Sequence, residues 1–245
     1  MKNINLDDIR QYVAENIAEF HSNKLNSLET LKLKKLLNKN PYLYKAKYIE
    51  TAGDLVNGLL SAFLSSSEEK FFGDFLEKLA VFIATRTCRG HKSAAQGIDL
   101  EFFNNQRHYI VSVKSGPSWG NSSQQSKLEQ DLRNGVIRIK QANPSTNVQP
   151  VLGICYGKTR TSYLRGYLKV VGQNFWYLIS ENKALYTDII EPIGKNARHH
   201  NESFQIEMIR VTNRLTKQFL EQFCLSSGAI DWVKLVEFIS GNYDL

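Results

Sequence analysis

The feature that most constrains this chain is a pair of short strand-like segments joined by a polar turn. Residues 98–103 and 109–114 alternate apolar with polar side chains, and residues 104–107 (Asn-Asn-Gln-Arg) between them have the composition of a hairpin turn. Successive side chains on a strand point to opposite faces of a sheet. Ile98 then shares an apolar face with Leu100. The other face brings together four polar side chains: Asp99, Glu101, Ser112 and Lys114.

Two acids and a lysine on one strand face are costly to bury for structure alone. Carboxylate oxygens hold hard cations such as Mg²⁺, and such a cation neutralises a phosphate and lowers the pKa of its bound water. A nearby lysine orients that water or balances charge in the transition state. The group therefore indicates metal-dependent hydrolysis of a phosphodiester, with Asp99 as a metal ligand and Lys114 beside the phosphate. The alternative is a structural ion cluster in an ordinary α/β protein.

The charge of the chain favours a polyanionic partner. The formal net charge is +7, and residues 24–47 hold seven lysines against one acid, Glu29. A second group of basic residues, the 158–169 cluster, contains no acid and is interleaved with Tyr163 and Tyr167. Its members are Lys158, Arg160, Arg165 and Lys169. We expect both groups to meet phosphates and sugars; the alternative for each is a solvated helix face or loop.

Composition and the cysteines narrow the class of protein. A hydrophobic content of 42% with 22% charged residues is typical of a globular chain. No apolar run approaches the roughly 20 residues of a membrane-spanning helix, and the first residues lack the apolar core of a signal peptide. The three cysteines lie far apart in sequence without a C-x-x-C pair, which favours reduced thiols in the cytoplasm over a zinc site.

The order of the predicted elements indicates one mixed α/β domain over residues 1–245. We expect a helical N-terminal arm in 1–50, a catalytic core in 60–175 and a helical C-terminal part in 176–245. Besides the hairpin, residues 148–156 are predicted to form a buried strand. Apolar residues at helical spacing predict helices over residues 6–20, 25–37, 54–64, 66–87, 124–142, 173–180, 185–190, 204–224 and 232–239.

One predicted helix carries an acid in an unusual setting. Ser66 and Glu69 fit a capping box that starts this helix after a break at the serines 65–67. One side of the helix places Glu77 among small side chains: Gly73, Ala80 and Ala84. Because small side chains permit close approach of another element, we expect Glu77 to face the sheet. The alternative is a glutamate that faces solvent.

The pattern around the hairpin resembles a known family of nucleases. The arrangement D-x(12)-S-x-K, from Asp99 to Lys114, within a helix–hairpin–helix–strand order resembles the PD-(D/E)XK superfamily, the core of most type II restriction endonucleases. Over roughly residues 39–238 the chain is more specifically similar to the PmeII-type group of these enzymes. The similarity lies in the segments ETAGDLVNGLLSAFLSSSEE, FGDFLE, SAAQGIDLEF and VKSGPSWGNSSQ.

The resemblance implies a restriction-endonuclease-like core, in which a mixed central sheet is flanked by helices, with further helices at both ends. Two positions depart from the family pattern: Ile98 stands where a proline is common, and Ser112 stands where Asp or Glu is usual. A serine cannot supply the missing charge, so another acid is needed. Glu77 is the first choice, Glu101 the second, and Glu129 on the following helix the third.

The implied activity is Mg²⁺-dependent, sequence-specific cleavage of both strands of double-stranded DNA, leaving 5′-phosphate ends. One or two Mg²⁺ ions would be held by Asp99, Glu77 and Val113, while Lys114 would position the water with Ser112 nearby. The family also implies a homodimer on a palindromic site, a cognate DNA methyltransferase as functional partner, and the cytoplasm of a bacterium or archaeon. The rival functions are a repair or structure-specific nuclease of the same fold and a DNA-binding protein that does not cleave.

Residues 115–123, after the second strand, are the other candidate for DNA contact. Their backbone amides and small polar side chains suit phosphates and base edges, and Trp119 is expected to anchor this loop or to stack on a base. The alternative is a turn closed by a packed tryptophan. The candidate DNA-binding residues are Ser115, Ser118, Trp119, Asn121, Ser122, Ser123, Lys158, Arg160, Arg165 and Lys35.

Overall fold

The computed structural model of the chain describes residues 4–194 and 197–242. Its helices are α1 (Leu6–Glu29), α2 (Leu33–Leu36), α3 (Pro41–Ala46), α4 (Ala52–Cys88), α5 (Ser122–Ala142), α6 (Gln173–Ser180), α7 (Leu185–Asp188), α8 (Ile190–Gly194), α9 (Ala197–Phe223) and α10 (Trp232–Ser240). Its strands are β1 (His91–Lys92), β2 (Leu100–Asn104), β3 (Arg107–Lys114), β4 (Asn147–Ile154), β5 (Ser162–Leu164) and β6 (Tyr167–Val171).

The six strands form one mixed sheet in the order β1-β2-β3-β4-β6-β5. The central pairs β3–β4 and β4–β6 are parallel, and the outer pairs β1–β2, β2–β3 and β5–β6 are antiparallel. Helix α5 covers one face, where Leu152 and Ile154 belong to its apolar cluster. On the other face Phe175 of α6 lies against Gly153 of β4. The predicted fold class, a mixed sheet flanked by helices, is confirmed.

The described residues divide into two compact units. The first contains residues 4–18 and 72–194 and therefore the whole sheet with α5 and α6. The second contains residues 19–71 and 197–242 and is helical, with a core of leucine, phenylalanine and other apolar side chains. Helices α1 and α4 contribute residues to both units. A single endonuclease domain over the whole chain stays a prediction.

The predicted hairpin is confirmed as β2–β3. Its register runs from Leu100 opposite Val111 to Asn104 opposite Arg107. The two residues of the turn, 105 and 106, have φ values of 46° and 62°. This left-handed conformation at both positions is the one that a tight two-residue hairpin turn requires.

The first strand of the hairpin begins two residues later than predicted, and this changes the face of Ile98. Gly97 adopts a positive φ of 74°, so the chain turns before it enters β2. Ile98 consequently packs with Ile110 in the cluster beneath α5, whereas Leu100 packs towards the end of α4 near Gly90. The prediction that Ile98 and Leu100 share a face is wrong. Asp99 stands between them, immediately before the regular strand.

Helix α4 is continuous where a break was predicted. The hydroxyl of Ser66 donates to the carbonyl of Ala62, and that of Ser67 donates to the carbonyl of Phe63, both at 2.9 Å. Serine inside a helix satisfies its hydroxyl in this way without interrupting the backbone ladder. The predicted capping box at Ser66 is therefore wrong, and the helix starts at Ala52.

Other boundaries shift for local reasons. The predicted helices 6–20 and 25–37 meet in one helix that continues to Glu29, and only the short α2 forms after it. The segment of the 158–169 cluster, for which no strands were predicted, forms the hairpin β5–β6. Arg165 and Gly166 turn there with positive φ values of 33° and 94°. None of the helices within the described ranges has the length and hydrophobicity needed to cross a bilayer.

Candidate active site

The small-residue side of α4 faces the sheet, as the sequence predicts. A side chain added at Gly73 would lie 3.6 Å from Ser115, the residue that follows β3. Ala80 and Ala84, on the same side, are completely buried. Glu77 lies one helical turn after Gly73 and therefore on the same side of α4.

Asp99 is fixed to β3 by its backbone and its side chain. Its N–H donates to the carbonyl of Val111 at 2.8 Å. Its Oδ2 accepts from the backbone N–H of Val113 at 2.7 Å and from the hydroxyl of Ser112 at 3.4 Å. Because β2 starts only after Asp99, the carboxylate takes the place of a strand partner for Val113. This holds the carboxylate beside the residue that precedes Lys114.

Lys92 joins Asp99 to Glu77. Its Nζ donates to Glu77 Oε1 and lies 3.5 Å from Asp99 Oδ1. Burial alone would lower the pKa of Lys92, but the carboxylates of Glu77 and Asp99 outweigh this and raise its pKa above the ordinary value. One cation therefore bridges the two acids, which arrive from a helix and from the start of a strand.

Lys114 lies at the end of β3, in the same region. Its Nζ is 5.8 Å from the centre of the Trp119 ring, and the described part of the chain places no carboxylate within 4.0 Å of it. Burial raises the pKa of the nearby Cys155 thiol, Glu77 adds to this rise and Lys114 opposes it. The backbone N–H of Cys155 also donates to the carbonyl of Lys114 at 2.9 Å, which places this thiol beside the end of β3.

Glu101 belongs to a different group of side chains from Asp99, contrary to the expected four-residue cluster. Its Oε1 accepts from Ser93 Oγ at 2.5 Å and from an Arg138 guanidinium nitrogen at 2.6 Å. Burial would raise the pKa of Glu101, but Ser93, Arg138 and His108 together hold it below its usual range. The cause is position, because Glu101 is inside β2 on the face covered by α5, which carries Arg138.

His108 completes this buried network without a hydrogen bond at Nε2. The atom lies 2.9 Å from Glu101 Oε2 without forming a hydrogen bond to it. Burial lowers the pKa of His108, and the opposing effect of Glu101 does not restore it. Glu101 is therefore engaged in holding β2, β3 and α5 together.

Glu129, the third candidate acid, lies on α5. Its Oε1 is 3.3 Å from a guanidinium nitrogen of Arg165, in the turn between β5 and β6. Its partner is thus one of the candidate DNA-binding residues. Glu77 thus shares Lys92 with Asp99, whereas Glu101 and Glu129 pair with arginines.

The donor set at Asp99 and Glu77 fits a hard divalent cation. Among the described side chains, no group of three or more His, Cys, Asp or Glu residues is arranged to hold a metal ion. The two carboxylates nevertheless already share a cation, the Lys92 ammonium. The N–H and C=O groups of one residue in an extended strand point to the same edge, so Val113, whose N–H meets Asp99, directs its carbonyl there too. Two carboxylates and a carbonyl supply the all-oxygen donors that Mg²⁺ prefers.

The loop after β3 has mixed roles. Asn121 caps α5 by accepting from the backbone N–H of Gln124 at 3.1 Å, and Ser123 Oγ donates to the same Asn121 oxygen at 2.7 Å. Trp119 packs against the apolar cluster beneath α5. Ser118 and Ser122 are exposed. Asn121 and Trp119 thus have structural partners, while exposed hydroxyls remain on the surface of the loop beside Ser115.

The basic residues are exposed but belong to two units. Lys158 and Arg160 lie between β4 and β5, with Arg165 in the next turn. Tyr163, which is 69% exposed, stands among them. Lys35 lies on α2 in the second unit.

Lys92 is the site residue that the sequence did not indicate. No periodic pattern marks it, because it stands in a two-residue strand after a long helix. Lys92 could have been found by a chemical argument, because two acids that are expected on facing elements need a cation near them.

A comparison with protein-family models finds one that covers most of the chain. The model describes the type II restriction endonuclease EcoO109I and matches residues 7–201. The chain belongs to this family of type II restriction endonucleases. None of the curated proteins compared with the chain gives a significant match.

This endonuclease is accordingly a site-specific deoxyribonuclease, and DNA is its substrate. Enzymes of the family generally use a divalent metal ion. The matched residues include Glu77, Asp99, Lys92 and Lys114, so the assembled region lies inside the family segment. The likeness to the PmeII-type group stays a prediction.

Proposed function

We propose that this endonuclease cleaves both strands of double-stranded DNA at a specific sequence in a Mg²⁺-dependent reaction that leaves 5′-phosphate ends. Asp99 and Glu77 would hold one or two ions, and Val113 would contribute its carbonyl. The observation that supports this most directly is the Lys92 ammonium between the two carboxylates. The lysine shows that a cation can be accommodated between Glu77 of α4 and Asp99 at the start of the hairpin.

The metal and the lysine have separate tasks. Mg²⁺ bound at these oxygens would neutralise the phosphate and lower the pKa of a bound water. Lys114 orients the attacking water and offsets charge that develops on the phosphate. Its ammonium is suited to this because no described carboxylate lies within 4.0 Å of it.

Ser112 replaces the acid usual at this position without supplying charge. Its side chain is buried and donates to Asp99 Oδ2, so it orients the carboxylate. Glu77 is the better candidate for the second acid than Glu101, because Glu101 is already paired with Arg138. Glu129 is the weakest of the three, since it pairs with Arg165.

DNA contact is assigned to two surfaces of the first unit. Ser115, Ser118 and Ser122 offer hydroxyls next to the catalytic lysine, and Trp119 supports the loop that carries them. The 158–169 cluster supplies positive charge for the phosphate backbone. Lys35 on the second unit is proposed as a further phosphate contact.

The family supports three further proposals. The enzyme acts as a homodimer, since two-fold protein symmetry matches a palindromic DNA site. A cognate DNA methyltransferase protects the host's own sites. The enzyme works in the cytoplasm of a bacterium or archaeon, where thiols stay reduced, in keeping with the free cysteines 88, 155 and 224.

The test is a digest of supercoiled plasmid and of a sequenced genome with purified protein, in Mg²⁺ and in EDTA. We expect discrete fragments only with Mg²⁺, and fragment ends that share one sequence and carry 5′-phosphates. Asp99→Asn and Lys114→Met should lose cleavage while keeping DNA binding. Lys70→Met, which removes an exposed lysine of α4, is the matched control and should cut normally.

Cutting in EDTA, or undiminished cutting by the Asp99 or Lys114 variant, would remove the basis of the proposed site. Breaks without a shared sequence would instead favour cleavage directed by DNA shape.

A further inference from the structure

We propose that Lys92 is a built-in counter-ion of the metal site, which holds Glu77 and Asp99 together when no metal is bound and competes with the metal for them. This inference rests on the proposed function, because it takes Glu77 and Asp99 as the metal ligands. It assigns to Lys92 a positioning role: the lysine stabilises the metal-free site and lowers its affinity for divalent cations.

The competition follows from which oxygens are occupied. Asp99 Oδ2 is engaged by the backbone N–H of Val113 and the hydroxyl of Ser112. The oxygen left for a cation is Oδ1, and this is the atom that Lys92 approaches. Lys92 also donates to Oε1 of Glu77. An ion bound by both carboxylates would need the same two atoms.

The Lys92 ammonium can move away from the two carboxylates while the backbone of Lys92 stays fixed in β1. Lys92 pairs with Leu100 in the β1–β2 ladder, and the N–H of Ser93 donates to the carbonyl of Asp99 at 3.4 Å. Ser93 is held further by its hydrogen bond to buried Glu101. The side chain of Lys92 is 57% exposed, so its flexible stem can carry the charge into solvent.

The partial burial of the Glu77 and Asp99 carboxylates explains why a cation is needed between them. The side chains of Glu77 and Asp99 are only 28% and 15% exposed. Two carboxylates at this depth repel each other, and water screens the repulsion incompletely. A lysine that neutralises them keeps the site assembled before metal arrives.

The experiment compares Lys92→Met with Lys70→Met, which removes an exposed lysine of α4 and already serves as the control above. Ca²⁺ binding is measured by isothermal titration calorimetry without DNA, and thermal unfolding is measured in EDTA. We expect Lys92→Met to bind Ca²⁺ about fivefold more tightly, the effect of removing a partly exposed ion-pair competitor. Its melting temperature in EDTA should fall below that of the wild type, and Ca²⁺ should restore it. Lys70→Met should change neither quantity.

Lys92→Arg, which keeps the charge, should bind Ca²⁺ as the wild type does. Lys92→Gln provides a second neutral variant, which is measured in the same way if the methionine variant does not fold. Unchanged or weaker Ca²⁺ affinity in the folded neutral variant would overturn the inference.

Two further variants separate this inference from the proposed function. Asp99→Asn and Glu77→Gln should each lose most Ca²⁺ binding. If they keep it, the ligand assignment itself fails. If they lose it while the neutral Lys92 variant binds as the wild type does, only the role of Lys92 is wrong.

Discussion

At the scale of single residues, Glu77 and Glu101 are chemically alike but differ in their partners. Glu77 is 28% exposed and shares a lysine with Asp99. Glu101 is 7% exposed and is bound by Arg138 and Ser93. The first carboxylate is partly open to solvent, whereas the second is part of the packed interior. Their neutral amide variants should therefore fail in different ways.

Glu77→Gln should reduce the cleavage rate by at least about a hundredfold. Loss of a side chain that only supports a metal ligand costs up to about a hundredfold, and loss of a ligand itself should cost more. The free energy of unfolding of Glu77→Gln should stay near that of the wild type. Glu101→Gln should instead lose about 1–3 kcal/mol of stability, because it leaves a buried network partly unpaired. Initial cleavage rates and urea unfolding curves of the two variants measure both quantities.

Glu129→Gln is the comparison variant on α5 and should retain cleavage chemistry. A Glu77→Gln enzyme that cuts at the wild-type rate would show that a different acid completes the site.

Strand alternation predicted part of this site correctly, but it misplaced Glu101 and did not indicate Lys92. It located Asp99, Ser112 and Lys114 at one end of a hairpin. It also grouped Glu101 with them, because alternation gives the face of a side chain but not the helix that covers it. Lys92 was missed since its pairing depends on how β1 approaches α4, and no local pattern records that approach.

At the scale of elements, the turn that delivers Asp99 to the sheet depends on Gly97. Its φ is 74°. A Cβ there would lie 2.6 Å from the Cβ of Asp131 on α5. Position 97 therefore combines two demands, a left-handed backbone and close contact with a helix. Gly228 has a similar φ of 84° but open space around it.

Gly97→Ala should destabilise the protein by about 2–4 kcal/mol, the sum of backbone strain and overpacking. Gly228→Ala should cost about 1 kcal/mol, since only the left-handed conformation is penalised. Cleavage by Gly97→Ala should also fall at a temperature where it remains folded, because Asp99 is two residues away. Urea unfolding and initial cleavage rates test both statements.

Replacing Asp131 with alanine in the Gly97→Ala background removes Oδ2, the atom nearest to the new Cβ, and Cγ, which would lie 2.7 Å from it, and should restore part of the stability. Equal losses in the Gly97 and Gly228 variants would mean that contact with α5 is unimportant.

The elements themselves were predicted unevenly. The hairpin, α5, β4 and α6 were predicted within a few residues, because their periodicity and turn residues agree with the fold. The break at Ser66 was not observed, since a serine hydroxyl is satisfied equally well by a cap or by the carbonyl four residues before it. The hairpin β5–β6 was missed because its strands are only three and five residues long and show no regular alternation.

At the scale of the whole molecule, the buried Glu101–His108 network makes the free energy of unfolding depend on pH. The pKa of His108 is below its ordinary 6.5, and the pKa of Glu101 is below its ordinary 4.5. In both cases the unfolded chain binds protons at a higher pH than the native protein does. Stability is therefore full above these ordinary values and is lost as pH falls.

The melting temperature should fall as pH drops below about 6.5, and fall further below 4.5, the ordinary pKa values of the two groups. His108→Gln should flatten the first part of this decline, because it removes the imidazole that takes up a proton when the chain unfolds. Differential scanning calorimetry between pH 8 and pH 4, taken as rough limits, measures the effect. A wild-type melting temperature that stays constant or rises as pH falls would contradict it.

The burial of Cys155 protects the carboxyl end of the central strands from reactions of its thiol. A thiol reacts with oxidants and alkylating agents as its thiolate. Cys155 stays protonated and enclosed, because burial raises its pKa and its side chain is shielded from solvent. The protein thus keeps a thiol directly beside Lys114 that oxidants and alkylating agents do not reach.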